Sequence, residues 1–343
     1  MNRTHRPART GSRALLASAL AGPALVAATC LATPAFAAAS HPEGPWSAQG
    51  QVPSAATSLA PSEAISGSTW YVAYTTSTGG IKYDIHTTGW WPKIRSVSGT
   101  GVTPATSAAP SIIVFNNDLY VFWINSAGTL RYTDLVGSTW QPTQSVTGTG
   151  YTALSTATPS LAVASDELWI AYKGHSTGNI YYTETSNGTT WGSQETAIKS
   201  ATNFAPTIAP TGLSAAPLAF AWTESNGDIG YGILGFLGFE NIGNVPGANT
   251  NEAPALAFMS ATTDGTMYLA WKGTNTKGVF FNEVPMFSNT SFGPSTWAGQ
   301  AALPGDYTSA GPALAVSGTT LYAVYTARSS TNVYYESATT PTS

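Results

Sequence analysis

Gly44-Pro45-Trp46-Ser47-Ala48-Gln49-Gly50-Gln51-Val52, near the start of the chain, reads like Ser138-Thr139-Trp140-Gln141-Pro142-Thr143-Gln144-Ser145-Val146 in its middle. The later stretch is the last part of a longer phrase. That phrase opens with Pro110-Ser111-Ile112-Ile113, continues through Leu119-Tyr120-Val121-Phe122-Trp123 and Leu130-Arg131-Tyr132, and closes at Trp140. The earlier stretch has the ending without the beginning.

Six copies of the phrase follow one another. Their prolines are Pro61, Pro110, Pro159, Pro206, Pro254 and Pro312, and the aromatics closing their second segments are Tyr74, Trp123, Tyr172, Trp222, Trp271 and Tyr325. The fourth segment begins at Trp91, Trp140, Trp191, Phe239 and Trp297, and the sixth copy has none after Tyr335. Residues 45–53 are therefore expected to serve as the outer segment of the unit that begins at Pro312.

Read at strand period, each copy gives four short segments separated by turn residues. In the second copy they are 111–115, 119–124, 130–134 and 140–146, broken at Asn116-Asn117-Asp118, Ser126-Ala127-Gly128 and Val136-Gly137-Ser138. No stretch after residue 37 carries a helical stripe. Four antiparallel strands per unit at this period predict an all-β, six-bladed β-propeller, with the N-terminal strand completing the last blade. Blades hide both faces against neighbours, which accounts for segments apolar on both sides. Two blades depart from the pattern. The fourth carries Gly232-Ile233-Leu234-Gly235-Phe236-Leu237-Gly238, and the fifth has an insertion from Pro285 to Pro294, both expected as loops between third and fourth strands.

Arg3, Arg6, Arg9 and Arg13 precede an Ala/Leu-rich run ending in Ala35-Phe36-Ala37, the pattern of a cleaved export signal. Residues 1–37 are expected to be a signal peptide and 38–343 one secreted propeller domain. Cys30, the one cysteine, falls in the signal, so the domain would have no disulfide and must rest on core burial. Four of the 13 Lys and Arg lie in the signal as well, which leaves nine against 17 Asp and Glu. An acidic, charge-poor domain argues against nucleic acid or an anionic membrane as partner.

Catalytic sets are not evident. His41, His86 and His175 offer no metal-ligand spacing, and there is no Gly-x-Ser-x-Gly elbow. A sialidase-like site needs three converging arginines, whereas Arg95, Arg131 and Arg328 are expected on an outer strand, a third strand and a turn. Asp118, Asp166, Glu167 and Asp264 fall where turn geometry uses acidic residues. Glu224, Asp228 and Glu252 lie near the loops of one face and keep a glycosidase pair open as a reading. The expectation is a protein that is not an enzyme and needs no metal or cofactor.

Loops joining the second and third strands share a face with the loops between blades. That face carries Lys173-Gly174-His175-Ser176-Thr177-Gly178-Asn179, Lys272-Gly273-Thr274-Asn275, and the inter-blade Tyr151 and Tyr307. An aromatic plane beside short polar donors suits a neutral sugar, which stacks its C–H face and exchanges hydrogen bonds. The candidate carbohydrate-binding residues are Trp271, Lys272, Tyr172, Lys173, His175, Asn179, Trp123, Trp222, Tyr151 and Tyr307, with the best sites expected in the third and fifth blades. The competing reading makes the once-per-blade aromatics packing residues between blades.

Pro159-Ser160-Leu161-Ala162 with Leu168-Trp169-Ile170-Ala171-Tyr172-Lys173-Gly174 and Ile180-Tyr181-Tyr182 resembles the repeats of bacterial propeller lectins related to the fungal fucose-binding lectins. Ala253-Pro254-Ala255-Leu256-Ala257 with Met267-Tyr268-Leu269-Ala270-Trp271-Lys272-Gly273 carries the same likeness. It implies several weak sugar pockets in clefts between blades, and glycans of a cell surface or polysaccharide as partners. Fucose binders of this kind place an Arg, a Glu and an aromatic in each pocket. No arginine recurs per blade here, so the resemblance carries the lectin class and not the sugar. The alternatives are a protein-interaction or targeting subunit that docks a protein partner through the 285–294 loop, and a glycoside hydrolase or sialidase-like enzyme.

Overall fold

In a computed structural model, the described residues are 46–339 except 88, 90, 93, 200–201, 214–215, 236, 261–264 and 287–296, and the side chains of 304–306. The signal-peptide expectation and most of the 285–294 loop lie outside them.

Each phrase folds as one antiparallel sheet. The first is β2 (Ser62–Ser66), β3 (Thr69–Thr75), β4 (Ile81–Thr87) and β5 (Arg95–Ser96), following β1 (Gly50–Ala56). The second is β6 (Ser111–Phe115), β7 (Asp118–Ile124) and β8 (Leu130–Val136), with β9 (Thr139–Trp140) and β10 (Gln144–Ser145) sharing the outer edge; Pro142 falls between those two pieces. A small hairpin, β11 (Thr147–Gly148) and β12 (Tyr151–Thr152), leads to the third blade. That blade is β13 (Ser160–Ala164), β14 (Glu167–Lys173), β15 (Ile180–Thr185) and β16 (Glu195–Ile198). The fourth is β17 (Thr207–Pro210), β18 (Leu218–Thr223), β19 (Asp228–Gly235) and β20 (Gly238–Asn249). The fifth is β21 (Ala255–Ser260), β22 (Gly265–Lys272), β23 (Gly278–Met286) and β24 (Ala301–Tyr307). The sixth is β25 (Ala313–Ser317), β26 (Thr320–Thr326) and β27 (Asn332–Thr339), with β1 as its fourth strand.

β1 pairs with β27 through Gly50 opposite Tyr335 and Gln51 opposite Tyr334, and Ser47 N–H donates to the Ser337 carbonyl at 2.7 Å. The innermost strands β2, β6, β13, β17, β21 and β25 neighbour one another in that order, and β25 neighbours β2. Hydroxyls after the prolines tie some of these strands together: Ser62 Oγ accepts from Ile112 N–H at 3.1 Å, Ser160 Oγ from Ile208 at 2.9 Å, and Thr207 Oγ1 from Leu256 at 3.1 Å.

The repeated tryptophan is a lock between blades. Trp140 meets Tyr83 of the preceding blade edge-on at 5.7 Å, Trp191 meets Tyr132 at 5.7 Å, and Trp297 meets Tyr231 at 5.3 Å. Trp46 meets Phe281 at 5.5 Å in the same way, so the residue read as a displaced ending packs as one. Edge-to-face pairs of this kind add to the apolar burial they accompany. Where Phe239 stands in place of Trp, Tyr182 of the third blade meets Phe220 instead.

Two sequence expectations are corrected. The Gly232–Gly238 stretch is not a loop: β19 runs on to Gly235, burying Leu234, and pairs with β20 from Gly238. Met286 likewise ends β23 with its side chain in the core, since apolar side chains there face the neighbouring blade.

Candidate functional site

One face of the ring is built by a device repeated in every blade. Four residues before each proline stands a buried hydroxyl residue: Thr57, Thr106, Ser155, Thr202, Thr250 and Thr308. Its N–H donates to the second-to-third-strand turn of the preceding blade, at Thr331, Gly79, Gly128, Gly178, Gly227 and Lys277 respectively, over 2.8 to 3.2 Å. Its side-chain oxygen accepts the N–H two residues on, at Leu59, Ala108, Ala157, Phe204, Glu252 and Ala310. The inter-blade loop is thereby pinned by backbone groups, and its outward side chains are released from that task. Sequence reading missed these six residues because Ser and Thr are common in turns; the signal was their fixed distance from the proline.

The sequence candidates separate into two groups on this face. Trp123, Tyr172, Trp222 and Trp271 are buried between blades, none more than 3 % exposed. Tyr172 Oη donates to Gln194, Trp271 stacks on Phe280 at 6.1 Å, and Trp222 lies against Gly230. Lys173 and Lys272 occupy the register of Thr75, Thr223 and Thr326, whose hydroxyls donate to inter-blade carbonyls. Their ammonium groups do similar work, Lys173 donating to Thr156 at 2.8 Å and Lys272 to Asn251 at 2.7 Å, with Glu252 at 3.5 Å. Tyr151 is half-buried, its hydroxyl bonded to Thr183 and the Gly192 carbonyl at 2.9 Å. His175 and Tyr307 are exposed, and Asn179 donates to Tyr181 at 2.9 Å. The structure thus does not gather the ten into one site; it distributes them over several gaps.

Each gap carries a pair of rim residues, one five places before the proline and one three places after the second-strand aromatic. The pairs Leu154/His175 and Tyr307/Arg328 are joined by backbone bonds of 3.1 Å from the second to the first. Thr274 Oγ1 donates to Asn249 Oδ1 at 2.7 Å in the fourth-to-fifth gap. Between the first and second blades the pair is Ala105/Ser126, and there the small side chains leave a cleft of about 370 Å³. Trp123, Asn125, Arg131, Thr103 and Thr143 line it. Buried Val102 holds the loop position that Tyr151 takes one blade later. Arg131 commits one N–H to Ser145 at 2.8 Å, and Asn125 Oδ1 accepts from Ala127 and Thr129, which leaves its NH₂ as a donor.

A second cavity, of about 550 Å³, is the mouth of the central channel. It is ringed by the six phrase prolines and by Ala, Ser and Thr side chains, with Glu63, Asn203 and Glu252 also in its lining.

Buried carboxyls also shape the seam between the first and sixth blades, and one of them, Glu63, borders the channel mouth. Glu63 and Asp84 both sit opposite Val72, on the blade face that meets the sixth blade through Trp70, Tyr74, Tyr322 and Tyr335. Trp70 Nε1 donates to Glu63 Oε2 at 2.8 Å, while Glu63 Oε1, Asp84 Oδ2 and Tyr74 Oη have no partner among the described residues. Burial raises Glu63 well above the carboxylate range and pushes Asp84 up to about 6, Lys82 opposing the latter. Burial also raises Glu283 to about 7. Among the described residues no group of His, Cys, Asp and Glu is placed to hold a metal. Glu224 and Asp228 take part in an amide network, Asn244 donating to Glu224 at 3.4 Å and Asn226 to Asp228 at 2.8 Å.

Neither a scan against protein-family models nor a search of curated protein sequences gives a match. Solved structures do. The fucose-specific lectin from Aleuria aurantia superposes with a TM-score of 0.60 at 12% identity, covering 81% of this chain and 90% of that one. AofleA from Arthrobotrys oligospora gives 0.57 at 10% identity, covering 80% and 81%. A mutant Trypanosoma rangeli sialidase displaying trans-sialidase activity gives 0.55 at 10% identity, covering 81% of this chain and 53% of that one. At such identities the likeness is one of fold: this chain is an all-β, six-bladed propeller like that described for the Aleuria lectin.

Proposed function

We propose that this chain is a secreted carbohydrate-binding protein, not an enzyme, that holds saccharides in clefts between blades on the face of the second-to-third-strand turns. The observation that carries the reading is the cleft between the first and second blades. Over the buried Trp123, its guanidinium, amide and hydroxyls are groups that exchange hydrogen bonds with the hydroxyls of a sugar. Of the residues expected from sequence, Trp123 lines this cleft. Tyr172, Trp222 and Trp271 back other gaps, and His175, Asn179, Tyr151 and Tyr307 border them. Glycans of a cell surface or a polysaccharide are the partners this reading implies. The fold-level likeness to fucose-specific lectins supports a saccharide ligand.

The sialidase likeness makes hydrolysis the reading to exclude. A glycan array probed with residues 38–343, followed by calorimetry on the best ligand, tests the proposal. Arg131→Ala should weaken binding about tenfold or more, the loss expected for a charged donor in a desolvated site. Release of reducing sugar by the wild type, or an array with no bound saccharide, would overturn the reading.

A further inference from the structure

The gap between the fifth and sixth blades differs in chemistry from the others. Its rim pair is Tyr307, 51% exposed, and Arg328, whose guanidinium lies over the Tyr307 ring at 5.6 Å from the centroid. A guanidinium held over a ring by cation–π attraction still has N–H groups to offer an oxyanion in paired hydrogen bonds. Arg328 is exposed and has no carboxylate partner among the described side chains. Across the gap stands Lys277, whose carbonyl accepts Thr308 N–H at 2.9 Å, so its backbone adjoins the residue after Tyr307.

Lys277 is also out of place. The equivalent turn position is Gly79, Gly128 and Gly227 in three other blades, at φ of 82°, 79° and 90°. Lys277 adopts φ 58° there, a left-handed conformation that costs a side chain energy and that glycine takes freely. A lysine at a left-handed position that three other blades give to glycine points to use of its charge. The same register sets the geometry: in the gap between the second and third blades His175, equivalent to Arg328, lies against Gly128, equivalent to Lys277.

We infer that Lys277, Tyr307 and Arg328 form an oxyanion subsite that selects acidic saccharides, those bearing a carboxylate or a sulfate ester. This rests on the carbohydrate-binding reading and adds a ligand class to it. Arg328 takes the oxyanion through two N–H groups, Tyr307 holds the guanidinium and offers the rest of its ring to the sugar, and Lys277 supplies a second positive charge.

The test is calorimetry of the whole domain with tetragalacturonate, its fully methyl-esterified form, and a κ-carrageenan tetrasaccharide that carries sulfate without carboxylate. The acid should bind about tenfold more tightly than the ester, with the advantage shrinking as ionic strength rises. Arg328→Gln should abolish that advantage and Tyr307→Ala reduce it, whereas the charge-matched Lys199→Gln should leave it intact. Lys277→Gly should raise the melting temperature and at the same time weaken acid binding, two changes that a purely structural role would not join. Preference for the carrageenan over the galacturonate would assign the site to sulfate esters, and the reverse to uronates. Equal binding of acid and ester, or an acid preference that survives Arg328→Gln, would overturn the inference while leaving the lectin reading standing. Failure of every saccharide, neutral or acidic, would instead overturn the lectin reading and this subsite with it.

Discussion

The seam between the first and last blades should make this domain more stable in mild acid than at alkaline pH. Asp84 is 2% exposed, Oδ2 has no partner, and its proton is held until about pH 6 against an ordinary 3.8. Below about pH 4 the carboxyl is protonated in both folded and unfolded chains and contributes no difference. As pH rises from there the unfolded chain ionises while the folded one keeps its proton, so stability falls. Above about 6 the folded carboxyl ionises too and the loss levels off. At about 1.4 kcal/mol per tenfold displacement, the loss approaches roughly 3 kcal/mol for Asp84. Glu63, buried beside Trp70 and Tyr322, has the same sign. Lys82 moderates Asp84, and the sixth blade brings Tyr322 and Tyr335 to this surface.

His86 opposes the trend, because burial lowers its pKa and acid then favours unfolding. The clean measurement is therefore the difference between wild type and Asp84→Asn in urea unfolding across pH 4 to 8. The variant should gain roughly 2–3 kcal/mol on wild type between the acid and alkaline ends. A difference that stays flat with pH, within about 0.5 kcal/mol, would refute the argument that an unpaired buried carboxyl governs the seam.

Three further outcomes follow from the packing. Removing residues 46–56 takes Trp46 from Phe281 and uncovers the β27 edge, so the truncated domain should aggregate or melt far lower; unchanged melting and elution would count against it. Thr308→Val leaves the Ala310 N–H and carbonyl without their hydroxyl partner, takes one of two donors from the Thr326 carbonyl, and should cost about 1–3 kcal/mol in denaturant unfolding. Lys272→Met should destabilise the domain by a similar 1–3 kcal/mol or so, leaving Glu252 and Asn251 short of a donor. Saccharide affinity in that variant should stay unchanged if the lysine is a brace; a selective loss of binding would restore it as a ligand.

The strands of the second blade, the breaks between them and the role of Trp46 were legible because they repeat. Asn116 and Asn117, read as a turn, take φ of 50° and 68°, the left-handed pair a tight hairpin needs. Recurrence was less informative about chemistry. A residue repeated in every blade does what every blade needs, and Tyr172, Trp222 and Trp271 are buried for that reason. Glu63 and Asp84 went unnoticed because they occur once, and only the three-dimensional seam shows that their oxygens lack partners.

Because a buried hydroxyl and backbone bonds fix each inter-blade loop, the rim pair can change without disturbing the ring. Ala105/Ser126, Leu154/His175, Asn249/Thr274 and Tyr307/Arg328 are four different chemistries at one register. The ring should therefore behave as a set of unlike sites and not as six copies of one. Titration of a neutral monosaccharide should saturate well short of six per chain, the cleft at Trp123 filling first, and multivalent gain should appear only on glycans that present neutral and acidic units together. Six equivalent sites of equal affinity would mean that recognition resides in the repeated core aromatics after all, and the rim would lose its claim.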